Sequence, residues 1–100
     1  MTHDFHPGAE EEYREAAAWY EEQSSGLGTA FVAAVDAAIL IIFRDPGRFQ
    51  IVGEGVRVFR LKRFPYYLYF GFDSVRGHLR FYGVVHHRKR PDYWGSRVGS

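Results

Sequence analysis

The sequence predicts an α+β domain in which a helical hairpin packs on one face of a small antiparallel-dominated sheet. Apolar residues recur at helical spacing through residues 9–44, and a strand-like period of two follows residue 55. The connections between these elements are short, so neighbours in sequence must pack or pair antiparallel. The predicted order is strand, helix, helix, strand, strand, strand. At 100 residues with 46% hydrophobic content, the chain fits a single domain, 1–100, with its own core.

The first half of the chain predicts one short edge strand, at residues 2–6, and two helices. In residues 9–23, alanine and tyrosine recur every three or four positions, which gives one apolar stripe. The second helix, residues 29–44, stops at the Asp-Pro-Gly of residues 45–47. The apolar stripe of this second helix consists of Phe31, Val35, Ala38, Ile39, Ile42 and Phe43.

The second half predicts three strands, at residues 56–64, 66–72 and 79–86, with Gly53 and Gly55 as turn residues before the first. Residues 73–77 form a hairpin loop between the last two. Alternation in the last strand predicts Leu79, Phe81 and Val85 on one face and Arg80, Tyr82 and His86 on the other. The sheet face away from the helices is predicted to be open.

Charge is distributed unevenly between the two halves. Residues 1–50 contain three basic and nine acidic residues, a net charge of −6, whereas residues 51–100 contain ten basic and three acidic residues, a net charge of +7. This asymmetry indicates that the second half meets a polyanion or an acidic partner protein. Ordinary solvated surface is the alternative that composition leaves open.

A basic strand is the first candidate site. It contains Arg57, Arg60, Lys62 and Arg63, and alternation predicts that Arg60 and Lys62 point from the open face. Arginine pairs with phosphate through two parallel hydrogen bonds and lysine acts as a point charge. The alternative is that these polar residues only cover the solvated side of a two-faced sheet.

The second candidate site follows the last strand, in residues 86–94. His86 has a side chain that transfers protons near neutral pH, and the nearby Arg88 favours its neutral form. Cleavage of RNA by its own 2′-hydroxyl needs a base, an acid and cations, which histidine and arginine supply without metal. Tyr93 and Trp94 are placed to stack on a base or, alternatively, to cap the core. Paired histidines at the end of a strand are also typical of a surface loop, which is the alternative. No metal site or cofactor is expected.

The location expected from the sequence is the cytoplasm. The chain has no cysteine, which is compatible with a reducing compartment. Its longest uninterrupted apolar run, at residues 37–43, is shorter than the ~18 residues that a membrane span needs. No secretory signal is recognisable at the N-terminus.

An ordered set of short motifs resembles the RelE/ParE toxin superfamily, in the branch of plasmid-stabilisation proteins. These motifs are Phe5-His6-Pro7, Ala9-Glu10-Glu11-Glu12, Trp19-Tyr20-Glu21-Glu22-Gln23, Gly26-Leu27-Gly28, Phe31, Asp45-Pro46-Gly47-Arg48-Phe49, Gly55-Val56-Arg57, Arg63-Phe64-Pro65-Tyr66, and His86 before Pro91-Asp92-Tyr93-Trp94. They span nearly the whole chain in the family's order. The resemblance implies the same fold and a growth-arresting toxin, held inactive in a hetero-oligomer by a cognate antitoxin.

The family divides over its target, and the resemblance implies two hypotheses. In the first, the chain is a metal-independent endonuclease acting on ribosome-bound mRNA, with His86, Arg88 and Arg60 as catalytic residues. The residues expected to bind substrate are Arg57, Lys62, Arg63, Lys89, Arg90 and Tyr93. Against it, Tyr66-Tyr67 stands where nuclease members carry a third-strand arginine, and Lys89 where this branch usually has arginine. The second hypothesis is a DNA gyrase inhibitor without nuclease activity, and an inactive antitoxin-binding remnant is a third reading.

Overall fold

A computed structural model describes residues 1–89 and 93–99, with only the backbone of Tyr93. The strands are β1 (Thr2–Phe5), β2 (Ile51–Gly53), β3 (Val56–Arg60), β4 (Tyr66–Asp73) and β5 (His78–His86). The helices are α1 (Pro7–Gln23) and α2 (Leu27–Arg44), and short 3-10 helices lie at Pro46–Arg48 and Tyr93–Arg97. The predicted α+β class is confirmed, because both helices pack on one mixed five-stranded sheet.

The two predicted helices are present, and each begins two residues earlier than the sequence suggested. Pro7 occupies the first turn of α1, where its missing N–H costs nothing, and His6 Nδ1 accepts a hydrogen bond of 3.0 Å from Gly8 N. The carboxylate of Glu21 accepts hydrogen bonds from Gly26 N and Gly28 N at the start of α2. A side chain at the end of one helix therefore caps the next, which fixes the tight hairpin.

The close approach of the helices depends on Gly28. A Cβ built at this position would lie 2.5 Å from the carbonyl oxygen of Ala17 and 2.9 Å from Glu21 Cβ. Beyond this contact, the predicted stripe of α2 is confirmed. Phe31, Val35 and Ile42 are completely buried between α1 and the sheet.

By length and composition α2 is apolar enough to cross a membrane. Polar residues interrupt its apolar sequence, so the longest uninterrupted apolar run does not reveal this. Its buried side is nevertheless part of the main core, in contact with α1 and the sheet. In total, 33% of the residues of this helix are buried. Its outer side exposes Leu40 and, to a smaller extent, Ile41.

The strand order in the sheet is β1-β5-β4-β3-β2. β1 pairs with β5 in parallel, and the other three pairings are antiparallel, which agrees with the predicted antiparallel-dominated sheet. β2 is absent from the prediction, in which Gly53 is a turn residue. The true turn consists of Glu54 and Gly55, whose positive φ values of 51° and 77° suit a two-residue hairpin.

The predicted strand over residues 56–64 is wrong in its second half. β3 ends at Arg60, and residues 61–65 form an irregular connection to β4. Two features end the strand. Phe64 turns into the core against Tyr20 and Phe31, and Pro65 has no N–H for a strand ladder.

A bulge in β5 reverses the predicted side-chain alternation. Tyr69 of β4 pairs with Gly83 and the next residue, Phe70, pairs with Phe81, so Tyr82 is an extra residue on β5. Leu79 and Phe81 face the helices as predicted, but Val85 faces the other way. The prediction that Val85 and Leu79 share a face is therefore wrong, as is the placing of His86 with Arg80.

The sheet face away from the helices, here called the far face, is partly covered. Val56, Val58, Tyr69 and Val85 form a second small core there, and Trp94 closes it. Trp94 is only 4% exposed and its ring stacks on Tyr69 at 5.5 Å between centroids. The prediction of a fully open face is corrected, and the alternative that Trp94 caps the core is confirmed.

Candidate functional site

Most of the predicted site residues meet at one end of the sheet, where β3 and β5 finish and β4 begins. Arg60 pairs with Tyr67 and Tyr66 pairs with His86. His87 N donates a hydrogen bond of 2.9 Å to the carbonyl of Pro65, which joins the segment after β5 to the β3–β4 connection. We call this region the basic end. It consists of Arg60, Lys62, Arg63, His86, His87 and Arg88.

Arg60 lies on the far face, as its alternation predicts. Its guanidinium carbon is 5.3 Å from the ring centroid of Tyr67, and Nη2 donates to Gln50 Oε1 at a long 3.5 Å. The residue is exposed, so its charge is accessible to an anionic partner. A groove of about 440 Å³ runs beside it along Val58, Tyr69 and Trp94.

Arg57 does not join the basic end. It lies on the helix side of β3, next to Phe59 in the strand alternation. Its Nη1 donates to the carbonyls of Phe49 at 2.7 Å and Gly47 at 3.1 Å. The side chain thus ties the segment after α2 to the sheet, and the structure separates it from Arg60.

Lys62 and Arg63 follow the end of β3, so the alternation used to place Lys62 beside Arg60 does not apply. Both are exposed in the β3–β4 connection. The guanidinium of Arg63 lies 5.3 Å from the ring centroid of Phe64, whose burial anchors this connection. Both cations therefore remain at the basic end, but on a loop.

His86 lies at the end of β5 on the helix side, and its ring packs edge-on against Tyr66 with centroids 5.4 Å apart. The backbone N–H of Arg88 donates to His86 Nδ1 at 3.2 Å. Partial burial, then the neighbouring His87 and Arg88, lower the pKa of His86 below the ordinary value. The neutral ring therefore predominates at neutral pH, with its proton on Nε2.

His87 is exposed beside His86, with ring centroids 4.6 Å apart. Its Nδ1 lies 3.3 Å from the carbonyl oxygen of Pro65. A carbonyl oxygen can only accept, so Nδ1 carries a hydrogen and donates it. Of the paired histidines, only His86 is a predicted catalytic residue.

The remaining predicted residues are distributed differently. The guanidinium of Arg88 is exposed at the basic end. Lys89 lines a shallow cavity of about 240 Å³ with Glu12, Glu15 and Trp19, on the side of α1. Arg90 and the side chain of Tyr93 lie outside the described residues.

The predicted catalytic set is therefore only partly assembled. Arg60 and Tyr67 share the far face, whereas His86 and Tyr66 lie on the helix side. The backbone ends of β3 and β5 are close, but the side chains of Arg60 and His86 leave the sheet in opposite directions. A single phosphate between them would have to lie beyond the end of the sheet.

A polar cluster at the other end of the sheet was missed. Thr2 Oγ1 is 2.7 Å from His78 Nδ1, and His78 Nε2 is 2.7 Å from Asp4 Oδ1. Arg80 donates to the other oxygen of Asp4. The parallel register of β1 on β5, which brings residues more than 70 positions apart together, has no signal in the local sequence.

Within residues 1–89 and 93–99, no group of three or more His, Asp and Glu side chains is arranged to hold a metal ion. A scan of the chain against protein-family models and a search of curated proteins both returned no match.

Proposed function

We propose that this chain is the toxin of a type II toxin–antitoxin module, related to the RelE/ParE superfamily, and that it arrests growth by cleaving ribosome-bound mRNA without a metal. The observation that carries the proposal is the junction between His87 and Pro65. It joins the segment that carries the two imidazoles and Arg88 to the β3–β4 connection, on which Lys62 and Arg63 are exposed.

The chemistry of this junction suits RNA cleavage by the neighbouring 2′-hydroxyl. A neutral imidazole accepts the hydroxyl proton, and nearby cations stabilise the negative charge that gathers on the phosphate oxygens. Two imidazoles lie at this junction and the side chains of His87 and Arg88 are exposed, which supports this division of roles. The end of β3, with Arg60, and the β3–β4 connection, with Lys62 and Arg63, together present positive charge to a polyanion.

A cognate antitoxin is part of the proposal. An acidic segment that folds on binding would complement the net charge of +7 in residues 51–100. An apolar side chain of such a segment would fit the groove along Val58, Tyr69 and Trp94, which has Arg60 at its rim. Binding there would also cover part of the basic end.

Inhibition of DNA gyrase is the second candidate, because the side chains of Arg60 and His86 lie on opposite faces. A surface that blocks a protein–DNA complex needs positive charge but no arrangement of reacting groups around one phosphate. Tyr66 and Tyr67 stand where nuclease members of the family carry an arginine, and their presence is therefore compatible with a function that needs no cleavage.

The deciding experiment is inducible expression of the chain in bacterial cells, followed by primer extension on mRNA. The test variant replaces both His86 and His87 with alanine, so that the result does not depend on which histidine reacts. The control is Arg76→Ala, whose side chain is 83% exposed in the opposite hairpin. The expected result is codon-positioned cuts with wild type and Arg76→Ala, absent with the double variant.

Growth arrest with intact mRNA would contradict the nuclease proposal. A supercoiling assay with purified gyrase would then be the next measurement. Inhibition retained by the double variant would assign the toxicity to gyrase, whereas no effect on growth, mRNA or gyrase would support the inactive remnant.

A further inference from the structure

We propose that His87 Nε2 is the atom that accepts the 2′-hydroxyl proton of RNA, and that His86 is a positioning residue. This inference rests on the proposed nuclease function. It reverses the assignment that the sequence suggests, where His86 alone carries the proton chemistry.

The hydrogen bonds of each ring determine which of its two nitrogens has a free lone pair. The Pro65 carbonyl oxygen accepts from His87 Nδ1 at 3.3 Å, so Nδ1 keeps its hydrogen in the neutral ring. A neutral imidazole has one protonated nitrogen and one lone-pair nitrogen. The lone pair of His87 is therefore on Nε2.

The same reasoning gives the opposite result for His86. The backbone N–H of Arg88 can only donate, so its 3.2 Å bond to His86 Nδ1 uses the lone pair of that ring. The hydrogen of neutral His86 is then on Nε2. Without breaking the bond to Arg88, His86 offers an N–H donor and no lone pair to a substrate hydroxyl.

Exposure and neighbours favour His87 as well. His87 is exposed, whereas His86 is partly buried with its ring against Tyr66. His87 is held twice to the carbonyl oxygen of Pro65, by its backbone N–H and by Nδ1 of its ring. Such a second contact fixes the tautomer and orientation of a catalytic imidazole.

His86 then acts through the backbone. Its Nδ1 holds the N–H of Arg88, and its carbonyl oxygen accepts from Lys89 N at 2.9 Å. These bonds form the turn that presents the side chains of His87 and Arg88. Loss of the Nδ1 acceptor would leave that N–H without this partner and loosen the turn.

The proposed step balances as a transesterification. The 2′-oxygen bonds to phosphorus while its proton moves to His87 Nε2, and the bond from phosphorus to the 5′-oxygen breaks. The 5′-oxygen takes a proton from water, and the hydroxide so formed takes the proton from His87. The products are a 2′,3′-cyclic phosphate and a 5′-hydroxyl end, with no net gain or loss of protons.

The test uses the purified full chain in a translation extract programmed with a defined mRNA, with cut ends mapped by primer extension. His87→Asn retains a short amide that can still donate to Pro65, but it has no group at the Nε2 position. His86→Asn retains an acceptor for Arg88 N and likewise lacks Nε2. The two variants therefore remove the same atom from neighbouring rings.

We expect His87→Asn to lower the cleavage rate at least about 100-fold, the usual contribution of a general base, and His86→Asn to lower it much less. Added imidazole should partly restore cleavage by His87→Asn, which a purely structural defect would not allow. His86→Ala should be slower than His86→Asn, because alanine loses the acceptor for Arg88 N. Thermal unfolding of each variant checks that the fold is retained.

The failures of the two proposals are distinguishable. If wild type cleaves and His86→Asn rather than His87→Asn is inactive, the inference is wrong and the nuclease function stands. The same holds if both asparagine variants cleave at the wild-type rate. If wild-type protein does not cleave mRNA, the proposed function fails and the inference fails with it.

Discussion

The carboxylate of Glu12 and the guanidinium of Arg97 form two hydrogen bonds, of 2.8 and 3.2 Å, across a separation of 85 residues. Both side chains are largely buried, at 20% and 17% exposed. Arg97 also donates to the carbonyl of Tyr82, and Glu12 accepts from Val84 N. The pair thus satisfies one backbone group at the bulged residue of β5 and one two residues later, beyond the end of the parallel pairing with β1.

Replacing Arg97 with methionine should lower the free energy of unfolding by about 1–3 kcal/mol, because a buried carboxylate and a buried carbonyl lose a donor. Urea unfolding at neutral pH measures the change. The control is Arg14→Ala, which removes an exposed pair with Glu10 on α1 and should cost at most about 0.5 kcal/mol. If both variants lowered the free energy of unfolding equally, the Glu12–Arg97 pair would stabilise the protein no more than an exposed ion pair does.

Gly28→Ala should destabilise the helical hairpin although alanine is the better helix former. The new Cβ would lie 2.5 Å from the Ala17 carbonyl oxygen, which is backbone in a packed helix and cannot move away alone. We expect a loss of about 1–3 kcal/mol in urea unfolding, the usual cost of overpacking. Gly47→Ala is the matched control, since nothing lies within 4 Å of its added Cβ. A stabilised Gly28→Ala protein would contradict the close approach.

The helical half was predictable because its information is local. The stripe that includes Phe31 and Val35 has helical spacing, so its residues lie on one side of the helix and that side is buried. The strands were predictable as elements but not in detail. Nothing in the local sequence marks Tyr82 as an extra residue, and that one insertion reverses which face Val85 and His86 occupy.

The candidate site was predictable in composition but not in geometry. Arg60 and the paired histidines stand out in the sequence as candidate residues, and the structure places them at one end of the sheet. Their separation onto two faces depends on strand pairing. The tautomers of His86 and His87 depend on contacts with Arg88 N and Pro65 O, and neither contact can be inferred from residue spacing.

Glu21→Gln should weaken the cap of α2 at neutral pH. Hydrogen bonds from Gly26 N and Gly28 N lower the pKa of Glu21. A lowered folded-state pKa stabilises the protein above the ordinary carboxyl value and loses that effect as pH falls through the lowered one. Urea unfolding should therefore show a deficit for Glu21→Gln at pH 7 that shrinks in acid. Glu22→Gln, an exposed neighbour with the same charge change, should not show this pattern.

The stability of the protein should fall as pH decreases below about 6.5, the ordinary histidine value. Burial, then Arg80 and Arg97, lower the pKa of His6, so the unfolded chain binds its proton more readily than the folded one. Protonation also removes the Nδ1 acceptor for Gly8 N. His6→Asn keeps a short acceptor without titrating and should flatten the dependence of the thermal midpoint on pH. If His6→Asn left the pH dependence of the thermal midpoint unchanged, that dependence would have to come from another group, and His86 would be the first to examine.

Trp94 should stabilise the far face through its ring and not through its N–H. The indole stacks on Tyr69, yet its buried Nε1 has no hydrogen-bond partner in the described part of the chain. Trp94→Phe keeps an aromatic ring and removes the unpaired donor. The smaller ring loses some packing, but the cost of burying an unpaired N–H disappears, so the two effects on the free energy of unfolding should partly cancel.

Trp94→Ala, in contrast, should lower the free energy of unfolding by about 3–5 kcal/mol, because it opens a cavity over Tyr69 and Val58. Urea unfolding of the three proteins gives both differences. If Trp94→Phe were as unstable as Trp94→Ala, the indole N–H would have a stabilising partner, and the groove beside it would be the place to look for one. A loss for phenylalanine well below that for alanine means that the far face is closed by ring packing alone.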